Sequence, residues 1–527
     1  MYNWRITFCA TLQSADHPQF ATLAALGALA RSAVAVNPVV VQEQEFIDSK
    51  TNDRFVIIGV DYQPGGQGAY GSSNSQDPLS NGTTCLRDAA LMQNLGVNTI
   101  RSYNVDPTLN HDECMSIFNS VGIYVILDVN SPLAGQSIDR SNPSGTYTIG
   151  YLQHIFSVVE AFKSFDNVLG FFAGNEVIND VPTAKDNPAY IRAVQRDLKN
   201  YISNHASRQI PVGYSAADVR QVLEDTWAYL QCNNSDGSGP DSSRSDFFGL
   251  NSYSWCGSQS SFQTSGYDVL VQMFSNTTIP VFFSEYGCND PSPRVFDEVP
   301  SLYGPQMTVL SGGLVYEWTQ DTNNYGLVWA YENGTAQLRS DYDSLQGQFS
   351  KINITLLESN NGTATSLQPP KCSSGLISED GFETSFDIPS PPDGADALIS
   401  SGVSNAPTGS LVPVTSTRVE DAVYATNGAP ISGLAITTVQ GANTPGAASG
   451  LSTGAAPSST GGSNGGGSAS ATSTGSSGSS GSGGSGGSSA TATGSASAAS
   501  SSAAAVRSVF ANGAAVGGAV AMAVFAL

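Results

Sequence analysis

Short apolar runs alternate with longer amphipathic segments through the first two thirds of this chain. Eight of the runs are rich in aliphatic, β-branched and aromatic residues, as is typical of buried strands; they are Phe55–Asp61, Val97–Tyr103, Ile123–Val129, Val168–Asn175, Pro211–Tyr214, Phe247–Tyr253, Pro280–Glu285 and Gly313–Tyr316. Apolar residues recur at helical spacing between them, most clearly in Cys85–Leu95, Asp112–Ser120, Ile149–Phe165 and Ala189–Asn204. This alternation predicts an α/β fold with a mostly parallel sheet, and eight strands favour a closed (β/α)8 TIM barrel.

The alternative is an open, doubly wound sheet, which would carry a phosphate-binding loop between its first strand and helix. The segment Gly66-Gln-Gly68-Ala-Tyr-Gly71 has the GxGxxG spacing after the first predicted strand. However, Pro64 and the polar stretch Ser72–Asn81 surround it, and no helix is predicted to open at Gly71. We therefore interpret it as a loop at the barrel mouth, and we expect no dinucleotide cofactor.

The composition changes towards the C-terminal end of the 527-residue chain. From about Pro389 onward Ser, Gly, Ala and Thr dominate, and Thr453–Ser502 contains almost nothing else. Such a segment buries too little apolar surface to offset the entropy lost on ordering. We therefore expect one barrel over residues 36–378, followed by a disordered Ser/Gly/Ala/Thr-rich linker over residues 379–507.

Both ends of the chain look like targeting signals. The apolar run Phe20–Ala30 and the A-x-A sequence Ala33-Val34-Ala35 predict a secretory signal over residues 1–35. At the other end, Arg507 is the last charged residue and Val509–Leu527 is apolar or small. A retained transmembrane helix, the alternative, would usually have flanking basic residues. Residues 508–527 are therefore predicted to direct attachment of a glycosylphosphatidylinositol (GPI) anchor at the outer face of the plasma membrane.

Charge and cysteine usage narrow the partners and the compartment. The formal net charge is −23, so binding to nucleic acid is not expected. Of seven cysteines, Cys9 lies in the predicted signal, and the other six form no CxxC pair. They are predicted to be oxidised, with their connectivity left open. Six N-x-S/T sequons agree with secretion; they are Asn81, Asn233, Asn276, Asn333, Asn353 and Asn361.

The candidate chemistry lies in two glutamates at the ends of predicted strands. Glu176 follows the fourth strand directly, and Glu285 ends the seventh. Because active sites of TIM barrels lie at the carboxyl ends of the strands, both side chains are expected in one cleft. Two carboxyls ~5–5.5 Å apart can cleave a glycosidic bond with retention, since their repulsion raises one pKa and supplies the acid. Asn175 is placed to bond a sugar hydroxyl beside them.

Other hydrolytic chemistries lack their residues. The chain has four histidines with no HxxxH pair, and its barrel region contains no GxSxG sequence. Zinc-hydrolase and serine-hydrolase mechanisms are therefore not expected, and neither is any metal ion or cofactor.

Several sequence blocks resemble the fungal β-1,3-glucanosyltransferases of glycoside hydrolase family 72. The blocks that contain the two glutamates are Ala173-Gly-Asn-Glu176-Val and Phe283-Ser-Glu285-Tyr-Gly-Cys288-Asn. The likeness runs from about Phe55 to about Asp343 and includes Gly59-Val-Asp-Tyr-Gln63-Pro-Gly, Gly96-Val-Asn-Thr-Ile-Arg101-Ser-Tyr103, Ile210-Pro-Val-Gly-Tyr-Ser215 and Tyr325-Gly-Leu-Val328. Several such blocks in one order are more specific than any single motif.

The resemblance implies roles for individual residues. Glu176 would be the acid/base and Glu285 the nucleophile, while Asp218 and Arg220 would lie on the acceptor side. The residues that would line the sugar subsites are Gln63, Tyr103, Asp128, Asn175, Tyr253 and Tyr316. The implied disulfides are Cys85–Cys114, Cys232–Cys372 and Cys256–Cys288.

The resemblance also implies a reaction and its partners. A β-1,3-glucan would be cleaved, and the new reducing end would be transferred to the non-reducing end of a second glucan, which elongates it. Many relatives carry a cysteine-rich carbohydrate-binding module after the barrel, but here no cysteine follows Cys372, so docking is expected from the barrel groove itself. The expected form is a monomer at the cell surface or in the cell wall. The alternatives are a hydrolytic endo-β-1,3-glucanase and a non-catalytic wall protein.

Overall fold

A computed structural model of the protein describes residues 36–66, 70–71, 77–235, 240–359 and 367–447. The predicted secretory signal, the predicted anchor signal, residues 448–507 of the predicted linker and the Asn361 sequon lie outside these residues. Within the described ranges, no helix combines the length and the apolar character needed to cross a membrane.

Eight parallel strands close into a barrel. Three short antiparallel strands precede it: β1 (Val39–Gln42), β2 (Glu45–Asp48) and β3 (Arg54–Phe55). The barrel strands are β4 (Ile57–Asp61), β5 (Thr99–Ser102), β6 (Tyr124–Asp128), β7 (Val168–Asn175), β8 (Val212–Ala217), β9 (Phe248–Asn251), β10 (Val281–Tyr286) and β11 (Gly312–Val315). They pair in chain order, and β11 closes the ring on β4. The predicted TIM barrel is confirmed, and each predicted run overlaps one barrel strand.

Helices connect the strands and cover the barrel from outside. They are α1 (Gly82–Leu95), α2 (Asp112–Ser120), α3 (Pro143–Thr146), α4 (Ile149–Phe162), α5 (Val181–Ala184), α6 (Asn187–His205), α7 (Arg220–Gln231), α8 (Tyr267–Met273), α9 (Val299–Leu302), α10 (Ser340–Phe349) and α11 (Ile354–Glu358). The four predicted helices are present. The first begins earlier than predicted because the Asn81 side chain accepts hydrogen bonds from the N–H groups of Thr83 and Thr84.

The barrel interior is divided into an apolar and a polar zone. Phe46 from β2 packs among Phe172, Phe247 and Phe282, with ring centroids 5.3–6.1 Å apart, and these four rings form an aromatic floor. Towards the carboxyl ends of the strands, a polar layer follows that consists of Arg101, Asp128, Ser215, Asn251 and Ser284. Because side chains alternate along a strand, both the aromatic floor and the polar layer point into the barrel interior. Polar groups that could take part in a reaction therefore lie only at the carboxyl ends of the strands.

The structure corrects the predicted linker boundary. Residues 379–447, here called the strap, are not disordered but contain α12 (Ala395–Ser401), β14 (Val423–Tyr424) and β15 (Pro430–Ile431). The strands β14 and β15 join β12 (Val328–Ala330) and β13 (Ala336–Leu338) in a four-stranded sheet of order β12-β13-β14-β15.

Scattered apolar residues explain why the strap is ordered. Average composition hides them because Ser, Thr, Gly and Pro separate them, but in the fold they are buried; they are Phe382, Ala395, Val423, Ile431, Leu434 and Ile436. The strap also forms hydrogen bonds with buried polar groups of the barrel. Asn443 Nδ2 donates to the Val97 carbonyl (2.8 Å). The Gln93 side chain donates from Nε2 to the Thr437 carbonyl and accepts at Oε1 from the Thr437 N–H.

We expect the strap to be part of the stable domain. A protein that ends after Ala447 should have the same free energy of unfolding as the full chain. One that ends after Ser378 should have a free energy of unfolding lower by at least about 2 kcal/mol, because buried apolar side chains of the barrel become exposed. Chemical denaturation of both proteins measures the difference. Equal stability of the two truncated proteins would contradict this expectation.

Candidate active site

Three side chains hold the carboxylate of Glu285 at the carboxyl end of β10. Its Oε1 accepts hydrogen bonds from the Tyr103 hydroxyl (2.9 Å) and from Arg101 Nη1 (3.3 Å). Its Oε2 accepts one from the Tyr253 hydroxyl (2.7 Å). With donors on both oxygens and only 8% of its surface exposed, the carboxylate has a fixed orientation towards the cleft.

Arg101 is the cation on which this arrangement depends. It is 0% exposed, it forms a two-point ion pair with Asp128 (Nε–Oδ2 2.8 Å, Nη2–Oδ1 3.1 Å), and its Nη1 reaches Glu285. Its guanidinium stacks 4.3 Å from the Tyr103 ring and 4.5 Å from the Phe172 ring of the aromatic floor. A planar, fully paired guanidinium in this position supplies fixed positive charge beneath the cleft.

Glu176 lies in the same cleft, held by Asn251. Asn251 Nδ2 donates to Glu176 Oε1 (2.9 Å) and to Asn175 Oδ1 (3.0 Å), and Asn251 is the register partner of Glu285 on the neighbouring strand. The backbone of Glu176 has a φ of +50°, which is uncommon for a residue other than glycine, and its N–H donates to the Ser215 carbonyl (2.8 Å). Strain of this kind concentrates at functional sites.

Four tyrosine rings frame the cleft around Glu285. Tyr316 contacts Tyr103 and Tyr253 edge to face at 6.3 Å, and it contacts Tyr325 at 5.4 Å. Tyr253 and Tyr325 lie 5.6 Å apart. Such rings offer flat apolar faces and hydroxyl groups together, which suits the two kinds of surface on a sugar ring.

The pKa of the Glu285 carboxyl is raised above its usual range. Burial raises it to about 7; Arg101 opposes this, repulsion from Glu176 adds to it, and the hydrogen bonds from Tyr253 and Tyr103 lower it. Repulsion between the two glutamates is the cause that the sequence predicted for a raised pKa, whereas burial is the larger cause for Glu285. All three donors around Glu285 stabilise its ionised form, which is the form that a nucleophile requires.

Two further buried carboxyls lie near the pair. Burial raises the pKa of Asp61, which is 0% exposed, well above its usual range, and Glu285 and Glu317 add to the shift. Burial likewise raises the pKa of Glu317 to about 7, while a hydrogen bond from Asn323 (2.9 Å) opposes the shift. Both carboxyls are therefore more easily protonated than exposed carboxyls, and a proton on either would reduce the negative charge near Arg101.

The residues predicted to line the subsites divide into two groups. Tyr103, Tyr253 and Tyr316 face the cleft around Glu285. Gln63 and Asp128 hold neighbouring parts of the site: the side-chain oxygen Oε1 of Gln63 accepts hydrogen bonds from the N–H groups of Tyr103 and Asn104, and Asp128 pairs with Arg101. Asn175 shares Asn251 with Glu176.

On the predicted acceptor side, Asp218 and Arg220 form an ion pair. Arg220 Nε lies 2.5 Å from Asp218 Oδ1, and the Ser252 hydroxyl donates to Asp218 Oδ2 (2.7 Å). Ser252 follows β9 directly, and its N–H donates to the Glu285 carbonyl (2.9 Å), so this ion pair is connected to β10, which carries Glu285. The Arg220 side chain is 37% exposed, so it can reach a ligand from the rim.

Several residues of the site have no role predicted from the sequence. They are Asp61, Arg101, Asn251, Glu317 and Tyr325. Arg101 and Tyr325 stand inside the family-like blocks, and Asp61 and Asn251 end barrel strands, so position at a strand end was a usable signal. Nothing in the local sequence indicates that Glu317 is buried.

The six barrel-region cysteines form three bridges. They are Cys85–Cys114, Cys232–Cys372 and Cys256–Cys288, the same pairs that the family resemblance implied. Cys256–Cys288 joins the loops that follow Tyr253 and Glu285, so it fixes the two sides of this hydrogen bond relative to each other.

The predicted sequons differ in accessibility. Asn233 is half-buried beside the Cys232–Cys372 bridge. The exposed sequon residues are Asn81, Asn276, Asn333 and Asn353. Which of them carry glycans stays a prediction.

A glutamate pair at the carboxyl end of a (β/α)8 barrel, framed by tyrosines and amides, defines the class of glycoside-cleaving barrel enzymes. Residues 28–353 match the glucanosyltransferase model of glycoside hydrolase family 72, and the chain therefore belongs to this family.

Named relatives and a solved structure agree with this membership. The chain is 53% identical to 1,3-beta-glucanosyltransferase gel2 of Aspergillus fumigatus, over 81% of this chain and 89% of that protein. It is 47% identical to the probable 1,3-beta-glucanosyltransferase GAS3 of Saccharomyces cerevisiae, over 74% of this chain and 77% of that protein. A solved structure of Saccharomyces cerevisiae Gas2p with laminaritetraose and laminaripentaose is 35% identical and superposes with a TM-score of 0.60, covering 70% of this chain and 77% of that one.

Removal of the Tyr253 hydroxyl should shift the pH dependence of activity. The Tyr253→Phe variant loses a hydrogen bond that lowers the pKa of Glu285, so this pKa rises. If ionised Glu285 is the active form, the acidic limb of kcat/KM moves to higher pH by about one unit, the order expected for a hydrogen bond to a charged group.

Tyr325→Phe is the matched control, because the Tyr325 ring also packs on Tyr253 but donates no hydrogen bond to Glu285. Its acidic limb should coincide with that of the unchanged protein. A Tyr253→Phe profile that also coincides, or that moves to lower pH, would contradict the assignment.

Proposed function

We propose that this protein elongates β-1,3-glucan by retaining transglycosylation, with Glu285 as the nucleophile and Glu176 as the acid/base. The observation that carries the proposal is the Glu285 carboxylate, oriented by Arg101, Tyr103 and Tyr253 in a cleft that it shares with Glu176. The family membership and the laminari-oligosaccharides in the Gas2p structure support the substrate class.

In the first half-reaction, a Glu285 oxygen attacks the anomeric carbon of a bound glucan. The bond from this carbon to the glycosidic oxygen breaks, and Glu176 gives its proton to the departing oxygen, so that the reducing-end fragment leaves as an alcohol. The result is a glycosyl ester on Glu285 and an ionised Glu176. Arg101 compensates negative charge on Glu285 before the attack, and the two phenols keep the reacting oxygen in place.

In the second half-reaction, a hydroxyl at the non-reducing end of another glucan attacks the same carbon. Glu176 accepts the hydroxyl proton, the ester bond breaks, and Glu285 is released as a carboxylate. Two inversions give net retention of the β-configuration. The donor has then passed its new reducing end to the acceptor, which becomes longer.

Transfer requires that a sugar hydroxyl outcompete water, which is present in large excess. Positioning of one reactant against another can supply ~7–11 kcal/mol, more than enough to offset this excess. The pair Asp218 and Arg220, with Ser252 beside them, offers charged and polar groups for an acceptor next to β9 and β10. We infer that this corner of the cleft binds the incoming glucan.

Product analysis on a reduced laminari-oligosaccharide of defined length tests the proposal. We expect products longer than the substrate, linked β-1,3, with little new reducing sugar. An endo-β-1,3-glucanase would instead give only shorter fragments and one new reducing end per bond cleaved. Replacement of Asp218 by Asn should shift products towards hydrolysis, because the acceptor side loses a charge that orients Arg220.

Glu176→Gln and Glu285→Gln are the controls for the chemistry. Each should retain the melting temperature and lose all turnover, because each carboxyl performs a step that the other cannot. Near-normal turnover in either folded variant would remove that residue from its role. If both variants retain the protein's activity in the wall, the non-catalytic alternative gains support.

We further propose that the protein acts at the cell surface as a monomer held by a GPI anchor. The support is the predicted secretory signal together with the charge-free Val509–Leu527 end. A phosphatidylinositol-specific phospholipase should release the protein from membranes, and mass spectrometry should find no peptide that contains Phe525–Leu527. Recovery of that peptide from the mature protein would contradict an anchor.

A further inference from the structure

The four-stranded sheet of β12, β13 and the strap carries a row of side chains on its outer side. Trp329 is the register partner of Gln337, Gln337 of Tyr424, and Tyr424 of Pro430. Residues opposite each other in register share one face of a sheet, so these four side chains point the same way. We name them the outer row.

The opposite face of this sheet packs against the barrel. Its row consists of Ala336 (0% exposed), Val423 (3%) and Ile431 (8%), paired across the strands that carry the outer row. By contrast, Trp329 is 44% exposed, Tyr331 two positions further is 47% exposed, and Gln337 and Tyr424 are half-buried. Among the described residues, no other aromatic side chain is as exposed as Trp329 and Tyr331.

The outer row is connected directly to the cleft. The N–H of Gln320 donates to the Val328 carbonyl (2.8 Å), so that β12 adjoins the segment that follows β11. Arg339 stacks on the Trp329 ring at 5.6 Å, and its Nη2 donates to Asn324 Oδ1 (2.9 Å), in the loop that places Tyr325 in the cleft. Arg339 therefore links the Trp329 ring to the loop that carries Tyr325, one of the four tyrosines that frame the cleft.

The chemistry of the outer row fits a neutral sugar polymer. It combines two aromatic faces, one amide and one proline ring, and none of the four side chains is charged although the chain has a net charge of −23. Aromatic faces stack on the C–H side of pyranose rings, and the Gln337 amide can both donate to and accept from hydroxyl groups. Strands ~4.8 Å apart place Trp329 and Tyr424 about 10 Å from each other, so a chain of sugars rather than one ring would cover them.

We propose that the outer row, Trp329–Gln337–Tyr424–Pro430, is a second β-1,3-glucan binding site that extends the active-site cleft. This inference rests on the proposed function for the identity of the polymer. Half of the site comes from the strap, so glucan docking is not confined to the barrel groove as the sequence suggested. The site binds long chains at the mouth of the cleft and leaves short oligosaccharides unaffected.

The binding test uses the protein in a Glu285→Gln background, so that retention on glucan is measured without turnover. Retention on particles of insoluble β-1,3-glucan should fall about tenfold with Trp329→Ala and about tenfold with Tyr424→Ala, the order expected for one aromatic contact. Gln337→Glu should also weaken retention, because it places a charge in the row. Val269→Ala, an equally exposed apolar residue on α8, is the matched control and should bind normally.

Activity in the otherwise unchanged enzyme separates this proposal from the proposed function. Trp329→Ala should raise KM for the polymer about tenfold and leave kcat/KM for a short laminari-oligosaccharide within twofold. If no transfer or cleavage is found at all, the function proposal fails while the binding test still stands. Trp329→Phe should keep most of the retention, which excludes a purely structural effect of the alanine variant.

Three outcomes would overturn the proposal. The first is normal retention of the Trp329→Ala, Tyr424→Ala double variant. The second is dimerisation of the protein in ultracentrifugation that Trp329→Ala abolishes, since the row would then contact a second copy. The third is that Trp329→Ala and Tyr424→Ala lower retention in the protein with an intact Asn333 sequon but have no effect in an Asn333→Gln background. The outer row would then contact a glycan attached to the protein itself.

Discussion

The fully buried Arg101 guanidinium is the interaction on which the rest of the site depends. It is surrounded by carboxyls: it pairs with Asp128 and Glu285, and its charge also acts on Asp61. A buried cation is tolerated only when such partners compensate its desolvation, and buried carboxylates are tolerated only beside a cation. Loss of Arg101 would leave several carboxyls uncompensated, which would raise the pKa of Glu285 further and remove one of the three donors that orient it.

The barrel provides this environment through a sharp change of polarity along its axis. The aromatic floor of Phe46, Phe172, Phe247 and Phe282 closes one end, and Arg101 stacks directly on Phe172 above it. Closing the floor excludes water from below, which strengthens each ion pair and hydrogen bond in the polar layer. Tyr103, Tyr253 and Tyr316, which lie one or two residues beyond the ends of their strands, frame the cleft above this layer, so that fixed charge, hydrogen-bond donors and aromatic faces meet at one end of the barrel.

The strap shows why composition is a weak guide to the end of a domain. Its Ser, Thr and Pro content is that of a linker, yet Val423, Ile431, Leu434 and Ile436 are enough to attach it to the barrel. The barrel offers two short strands, β12 and β13, whose free edge the strap completes. A segment that would be disordered alone thereby becomes part of a surface next to the active site.

The sequence by itself determined the fold class, the eight strands and the position of Glu176 and Glu285 at the ends of two strands, because strand burial and position at a strand end depend on local pattern. It did not indicate that Gln63 Oε1 accepts from the N–H groups of Tyr103 and Asn104 or that Asp128 pairs with Arg101, and the roles of both residues in sugar binding stay predictions. Nor did it indicate that burial would raise the pKa of Glu285, since desolvation depends on what surrounds a group in space. The partners of Arg101 come from strands far apart in the chain, and only closure of the barrel brings them together.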